Sequence, residues 1–155
     1  MAHGETVRDR LASAGFELPP GPRALGDYVP AVRAGSLVFT SGQLPMRDGA
    51  LIASGTVGDG VDPGVARECA AQAALNALGA ASTVCDLDEI VSVVKVTGYV
   101  ASAAAFNGQP GVVDGASAVM GAAFGEAGRH ARAAVGVAAL PLGAPVEVEI
   151  VFSLG

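Results

Sequence analysis

Residues 131–152, ARAAVGVAALPLGAPVEVEIVF, decide the fold. In the second half Val146, Val148, Ile150 and Phe152 alternate with Glu147, Glu149 and Val151. Successive side chains of a strand point to opposite faces. A period of two over 145–152 therefore predicts a strand with one core face and one face carrying carboxylates. Residues 131–139 are predicted as the preceding strand, joined to it through Leu140-Pro141-Leu142-Gly143-Ala144. A tight hairpin centred near Leu142-Gly143 would set Arg132 opposite residue 153, not Glu147.

Upstream, a strand is predicted from about Val91 to Val100, then a loop over 102–111 and an amphipathic helix over 112–127 through Val113, Met120 and Phe124. Asp62-Pro63 reads as a helix start, a capping side chain followed by proline at the first helical position. That helix is predicted to run to about residue 82, with Ala66, Ala70, Ala73, Ala77 and Ala81 as a small-residue stripe able to lie close to a sheet. Asp27–Arg33 and Ser36–Ser41 read as strands around an Ala34-Gly35 turn, the second ending before Pro45. Arg47-Asp48-Gly49 is a hairpin-type turn, with 50–54 returning as a short strand. Residues 6–14 are predicted as a short helix ending on Gly15, followed by a proline-rich connection over 16–26. The order predicts an α+β fold, two helices packed on one face of a mixed sheet. With no repeat, linker or second core, residues 1–155 read as one domain, in which 1–21 form an N-terminal helical extension.

The chain is 51% apolar and only 15% charged. An ordinary domain carries about 25% charged residues, so the shortage points to surface covered by further copies of the chain. Sequence bias toward alanine and glycine is the plainer account. The net charge is -6, and no run of Lys or Arg supplies the basic footprint of a nucleic-acid binder. Nor is there an apolar run long enough for a transmembrane helix or a start resembling a signal peptide, so a cytoplasmic protein without a membrane partner is expected. Cys69 and Cys85 are expected to be buried free thiols, with a disulfide between them as the alternative. His3 and His130 lack partners at metal-ligand spacing, and no metal site is expected.

Arg132 is unusual inside so apolar a strand. By alternation it shares a face with Ala134 and Gly136, whose small side chains leave room for a bidentate grip on a planar carboxylate. It reads equally as a strand-end arginine reaching water. Glu147 and Glu149 share a face and either hold a water at an interface or sit on the surface. Thr40-Ser41-Gly42 supplies hydroxyls and an amide beside a ligand, or is a polar strand end. No serine-hydrolase elbow, phosphate-binding loop or dinucleotide fingerprint is present.

Three stretches together resemble the RidA family, also called YjgF or L-PSP. Tyr28-Val29 followed by Leu37–Pro45, with Ser41-Gly42-Gln43, resembles its N-terminal hairpin. Val93–Val100 resembles its central strand, and Ala131–Pro141 followed by Val146-Glu147-Val148-Glu149 resembles its C-terminal signature. The resemblance runs from about residue 22 to the end. It implies a chorismate-mutase-like fold and a homotrimer with ligand sites in clefts between subunits. It also implies hydrolysis of reactive 2-enamine and 2-imine acids to 2-keto acids and ammonia, with no cofactor. Carried over by position, Arg132 would bind the substrate carboxylate and Glu147 would hold the attacking water. Tyr28 would line the pocket, Ser41 and Gly42 would contact ligand at the strand end, and Ala133 would lie beside the anchor. Two departures stand out. Ala134 replaces a cysteine frequent two residues after the arginine, and Asp114 stands where an asparagine is expected near the second helix, where it would alter specificity or repel an anion. Two other readings follow from the same residues. One is a non-catalytic binder of small carboxylates, or a stress-related protein, using the same cleft. The other is an endoribonuclease, which the acidic balance and the mere seven aromatic residues disfavour.

Overall fold

The computed structural model describes residues 4–23 and 26–155. His3 lies outside them, as do Ala24 and Leu25 of the proline-rich connection. Helix α1 (Val7–Ser13) leads into strands β1 (Ala31–Ala34) and β2 (Leu37–Thr40), then the two-residue strands β3 (Met46–Arg47), β4 (Ala50–Leu51), β5 (Thr56–Val57) and β6 (Gly60–Val61). Helix α2 (Pro63–Ala81), strand β7 (Ile90–Ala101), helix α3 (Gln109–Phe124), strand β8 (Ala131–Val137) and strand β9 (Val146–Leu154) complete the order.

The main sheet runs β1-β2-β9-β7-β8. Strand β8 is parallel to β7, and the other pairs are antiparallel. The expected β8–β9 hairpin is therefore corrected: β7 lies between the two strands, and Arg132 does not face residue 153. A parallel pair needs a long crossover, which α3 supplies between β7 and β8. The turn at Pro141–Gly143, with Leu142 at φ 59° and Gly143 at φ 72°, then carries the chain past the end of β7. Proline also moves two boundaries. Pro30 delays β1 to Ala31, and α3 starts three residues earlier than predicted because Pro110 fits a first turn that needs no N–H from it.

Helices α2 and α3 cover one face of this sheet, against which Val38, Val93, Val96, Val100, Val146, Val148, Ile150 and Phe152 are buried. The alternation of β9 is realised in full, with Glu147, Glu149 and Val151 on the other side. All five alanines of the α2 stripe are buried. Asp62 caps α2 as expected, its side chain accepting from the Gly64 amide at 2.8 Å. Helix α1 joins the same core. Val7 and Leu11 are buried, and Arg10 Nε donates to the Ala123 carbonyl of α3 at 2.6 Å. No helix among the described residues is long and apolar enough to cross a membrane.

Close approach rests on two glycines. A Cβ on Gly98 of β7 would strike Val113 of α3, and one on Gly115 of α3 would strike the backbone carbonyl of Arg67 on α2. The second contact cannot be relieved by turning a side chain. Gly115→Ala is expected to separate α2 from α3 and cost about 1–3 kcal/mol, read as a fall in Tm of several degrees.

Candidate active site

In the parallel ladder Arg132 is in register with Val96, a core residue, so its side chain leaves the edge strand β8 toward α3. There Nη1 donates to Asp114 Oδ1 at 2.8 Å and to Ser117 Oγ at 3.2 Å, and Nη2 donates to the Pro110 carbonyl at 3.3 Å. Asp114 and Ser117 meet the guanidinium together because residues three apart share a helix face. These bonds engage three of the five guanidinium N–H groups, which leaves two for a ligand. The side chains of Arg132 and Asp114 are 24% and 49% exposed. A pair this open to solvent contributes about 0–1 kcal/mol, so an incoming carboxylate can displace Asp114 at small cost.

Ser117 extends the network. Its Oγ lies 2.9 Å from His130 Nε2, and His130 Nδ1 lies 2.6 Å from the Gly128 carbonyl oxygen. A carbonyl only accepts, so in the neutral ring Nδ1 carries the proton and Nε2 accepts from the Ser117 hydroxyl. That hydroxyl in turn accepts from Arg132. These groups line a cavity of about 400 Å³ with Asp114, Gly121 and Gly125. A larger cavity, about 710 Å³, lies between the Gly15–Pro22 connection and α2. Its polar groups bond one another: the exposed Arg47 donates through Nε to buried Gln72 Oε1, Gln72 Nε2 to Asn76 Oδ1, and Asn76 Nδ2 to the carbonyls of Leu44 and Met46. That chain holds the β3–β4 hairpin on α2 rather than a ligand.

The other predicted site residues gather elsewhere. Glu147 is in register with Tyr99 and so with Val135, on the sheet face away from the helices. Its carboxylate lies against Gly42, where any Cβ would collide with it. Gln43 and Val148 exchange backbone hydrogen bonds at 2.8 and 3.0 Å, docking Ser41-Gly42-Gln43 on β9. Ser41 Oγ donates to the Val29 carbonyl at 2.7 Å, turned toward its own backbone. Tyr28, 55% exposed, precedes that contact. Burial, and then the charge of Glu149, raises the Glu147 carboxyl above its ordinary value. Tyr99 donates to Glu149 Oε1 at 2.7 Å, and chiefly this bond pushes the phenol up to about 12.

The predicted site residues thus fall into two groups. Arg132 and Asp114 form one, and Ser41, Gly42 and Glu147 the other. Arg132 stands three rows from Glu147, about 10 Å along the strands, and on the opposite face. Ala133, in register with Thr97, points to the Glu147 side. Ser117, His130 and Tyr99 escape sequence reading, because only the placement of β8 beside α3 and of β7 beside β9 brings them to these groups. Cys69 and Cys85 are both free, but only Cys69 is buried; Cys85, expected buried, is half-exposed at the surface. Burial pushes the Cys69 thiol up to about 11 and raises Cys85, so neither thiol is activated. Among the described residues no group of three His, Cys, Asp or Glu gathers to hold a metal.

Fold and site define an α+β protein with a partly buried arginine on an edge strand. Residues 8–153 match the family described as "YjgF/chorismate_mutase-like, putative endoribonuclease", and the chain belongs to this family. It is 41% identical over 155 residues to Protein TCP17 of Trypanosoma cruzi, covering 96% of this chain and 94% of that one. The crystal structure of Atu1372, a protein of unknown function from Agrobacterium tumefaciens, is similar with a TM-score of 0.87 and 40% identity, over 96% and 92% of the two chains. A Shewanella oneidensis protein carrying the same endoribonuclease description has a TM-score of 0.91 at 33% identity, over 96% and 99%.

A raised Glu147 carboxyl has a consequence for stability. The fold disfavours its ionised form, so the cost is absent below the ordinary carboxyl range near ~4.3 and grows as pH rises through the raised folded value. Glu147→Gln is expected to raise Tm at pH 7, with the gain vanishing below about pH 4 in a melting series across pH.

Proposed function

We propose that this protein hydrolyses 2-imino and 2-enamine acids to 2-keto acids and ammonia, in clefts completed by neighbouring copies within a homotrimer. One observation carries the reading: a partly buried guanidinium at the wall of a cavity, with two N–H groups free and a weak internal partner in Asp114. Such a group suits a planar carboxylate. The imine carbon beside that carboxylate is already electrophilic, so the reaction calls for a positioned water and proton transfer rather than a metal or organic cofactor. Glu147, with its raised carboxyl, is suited to hold the water.

Because Arg132 and Glu147 occupy opposite faces of one sheet, this assignment draws Glu147, with Tyr28, Ser41 and Gly42, from a second copy. The sheet face away from the helices is the surface for it. Val32, Phe39, Val94 and Val135 are exposed there, with Phe39 at 44% and Val135 at 42%. In β7 a bulge between Val93 and Lys95 turns Val94 and Lys95 to this same side. An apolar face of this kind supports burial against another copy. A native mass three times 15.2 kDa is expected in solution, and Phe39→Glu is expected to shift it toward the monomer.

The Arg132–Asp114 pair also favours a second reading, a carboxylate binder without turnover. One experiment separates them. An amino-acid oxidase generates small, branched and aromatic imines in situ, with semicarbazide competing for them. Wild type is expected to accelerate keto-acid release, and Arg132→Ala to lose about 2–5 kcal/mol of transition-state binding, a fall in kcat/KM of about 30- to 5,000-fold. Asp114→Asn is expected to lower KM by freeing the guanidinium. No acceleration with any imine, with binding of 2-keto acids retained, would establish the binder instead.

A further inference from the structure

We infer that Ser117 and His130 form the proton relay of the Arg132 pocket, Ser117 touching the reacting atoms and His130 acting through it. The inference rests on the deaminase reading above. It starts from a need that the single chain leaves unmet on the Arg132 side. Hydrolysing an iminium moves a proton off the attacking water and one onto the departing nitrogen. The chain's own Glu147 lies on the other face of the sheet, and where a neighbouring copy's Glu147 holds the water, a group beside Arg132 is still needed to carry the protons.

Ser117 and His130 stand where the need arises. Ser117 Oγ is 3.2 Å from Arg132 Nη1, and the imine carbon is directly bonded to the carboxylate that Arg132 holds. That places the carbon about 4–5 Å from the guanidinium nitrogens, with room for a water between it and Ser117. The direction of the hydrogen bonds is set along the whole chain. Gly128 accepts from His130 Nδ1, His130 Nε2 accepts from Ser117, and Ser117 accepts from Arg132 or from a water that replaces that bond. His130 is half-buried and lines the cavity with Ser117, so the ring is oriented by the backbone and its free nitrogen is already aimed at the hydroxyl. The other charged groups on this cavity are Asp114, Arg129 and Arg132. Arg129 is exposed and pairs with Glu126 at 3.5 Å. Asp114 is held by Arg132 until a substrate carboxylate replaces it.

The step balances with water as the only co-reactant. Water oxygen bonds to the iminium carbon as the C=N pair moves to nitrogen. One water proton passes to Ser117 Oγ while the Ser117 proton passes to His130 Nε2, giving a carbinolamine and an imidazolium. The relay then reverses and His130 returns the proton through Ser117 to the amine nitrogen. The C–N bond breaks as the hydroxyl oxygen forms the carbonyl, its proton leaving to solvent or with ammonia. Iminium and water thus give a 2-keto acid and ammonium. Positioned proton transfer of this kind contributes about 10²- to 10⁴-fold.

The test uses full-length Ser117→Ala, Ser117→Thr, His130→Ala and wild type, assayed for imine hydrolysis alongside the Kd for 2-oxobutanoate. The relay predicts kcat down about 100-fold or more in Ser117→Ala and His130→Ala, with the Kd within about twofold of wild type. Ser117→Thr keeps the hydroxyl and is expected to retain most turnover, and added imidazole to restore part of the rate of His130→Ala. Unchanged kcat in both alanine variants would overturn the relay and leave the deaminase reading standing. So would a loss matched by lost keto-acid binding and unrelieved by imidazole. An inactive wild type would overturn both.

Discussion

Everything about the site depends on the twelve-residue strand β7 accepting a partner on each side, antiparallel β9 on one and parallel β8 on the other. Each residue of β7 transmits its facing to the neighbour in register. Val96 is buried beneath the helices, so Arg132 and Ile150 face them too. Tyr99 faces away, so Val135 and Glu147 do as well. Backbone hydrogen bonding thereby places a cation and a carboxylate, separated by only fourteen residues of chain, on opposite faces of one layer.

The helix side is where a charge is hardest to accommodate, and the protein places this cation at its rim. Arg132 is on the edge strand, beside the exposed end of α3. Asp114, Ser117 and Pro110 accept from it there, with His130 bonded to Ser117 behind them, so that no unpaired charge is carried into the core. Among the described residues no buried side-chain polar atom lacks a hydrogen-bond partner. The close seating of α3 that makes this reach work is owed to Gly98, which makes room for the Val113 side chain against β7, and Gly115, which meets the α2 backbone. Packing and chemistry are therefore coupled. A wider gap under α3 would move Asp114 and Ser117 away from the guanidinium.

The face away from the helices has a different character. Apolar side chains from β1, β2, β7 and β8 stand exposed around a half-buried group of Glu147, Glu149 and Tyr99. The Ser41-Gly42-Gln43 segment is pressed onto β9 from the edge, and the missing side chain of Gly42 is the space into which the Glu147 carboxylate fits. The same segment that carries the family resemblance in sequence thus has a local physical duty in this chain.

Much of this was legible in the sequence. The period-two run from Val146 to Phe152, the Asp62-Pro63 start of α2 and the alanine stripe each report a local periodicity or cap, which needs no knowledge of neighbours. Arg132 stood out because a guanidinium is costly in an apolar strand wherever the strand goes, and the motifs around Ser41 and Glu147 pointed to the family. What the sequence did not determine was adjacency. A hairpin between β8 and β9 was the natural expectation for two strands joined by a short turn, and only the assembled sheet inserts β7 between them. Ser117 and His130 were silent for the same reason: a serine in a helix and a histidine before a strand acquire meaning only once α3 lies against β8. Local propensity is a property of a few consecutive residues. Which surfaces meet is settled by burying all the apolar faces at once, and that requires the whole chain.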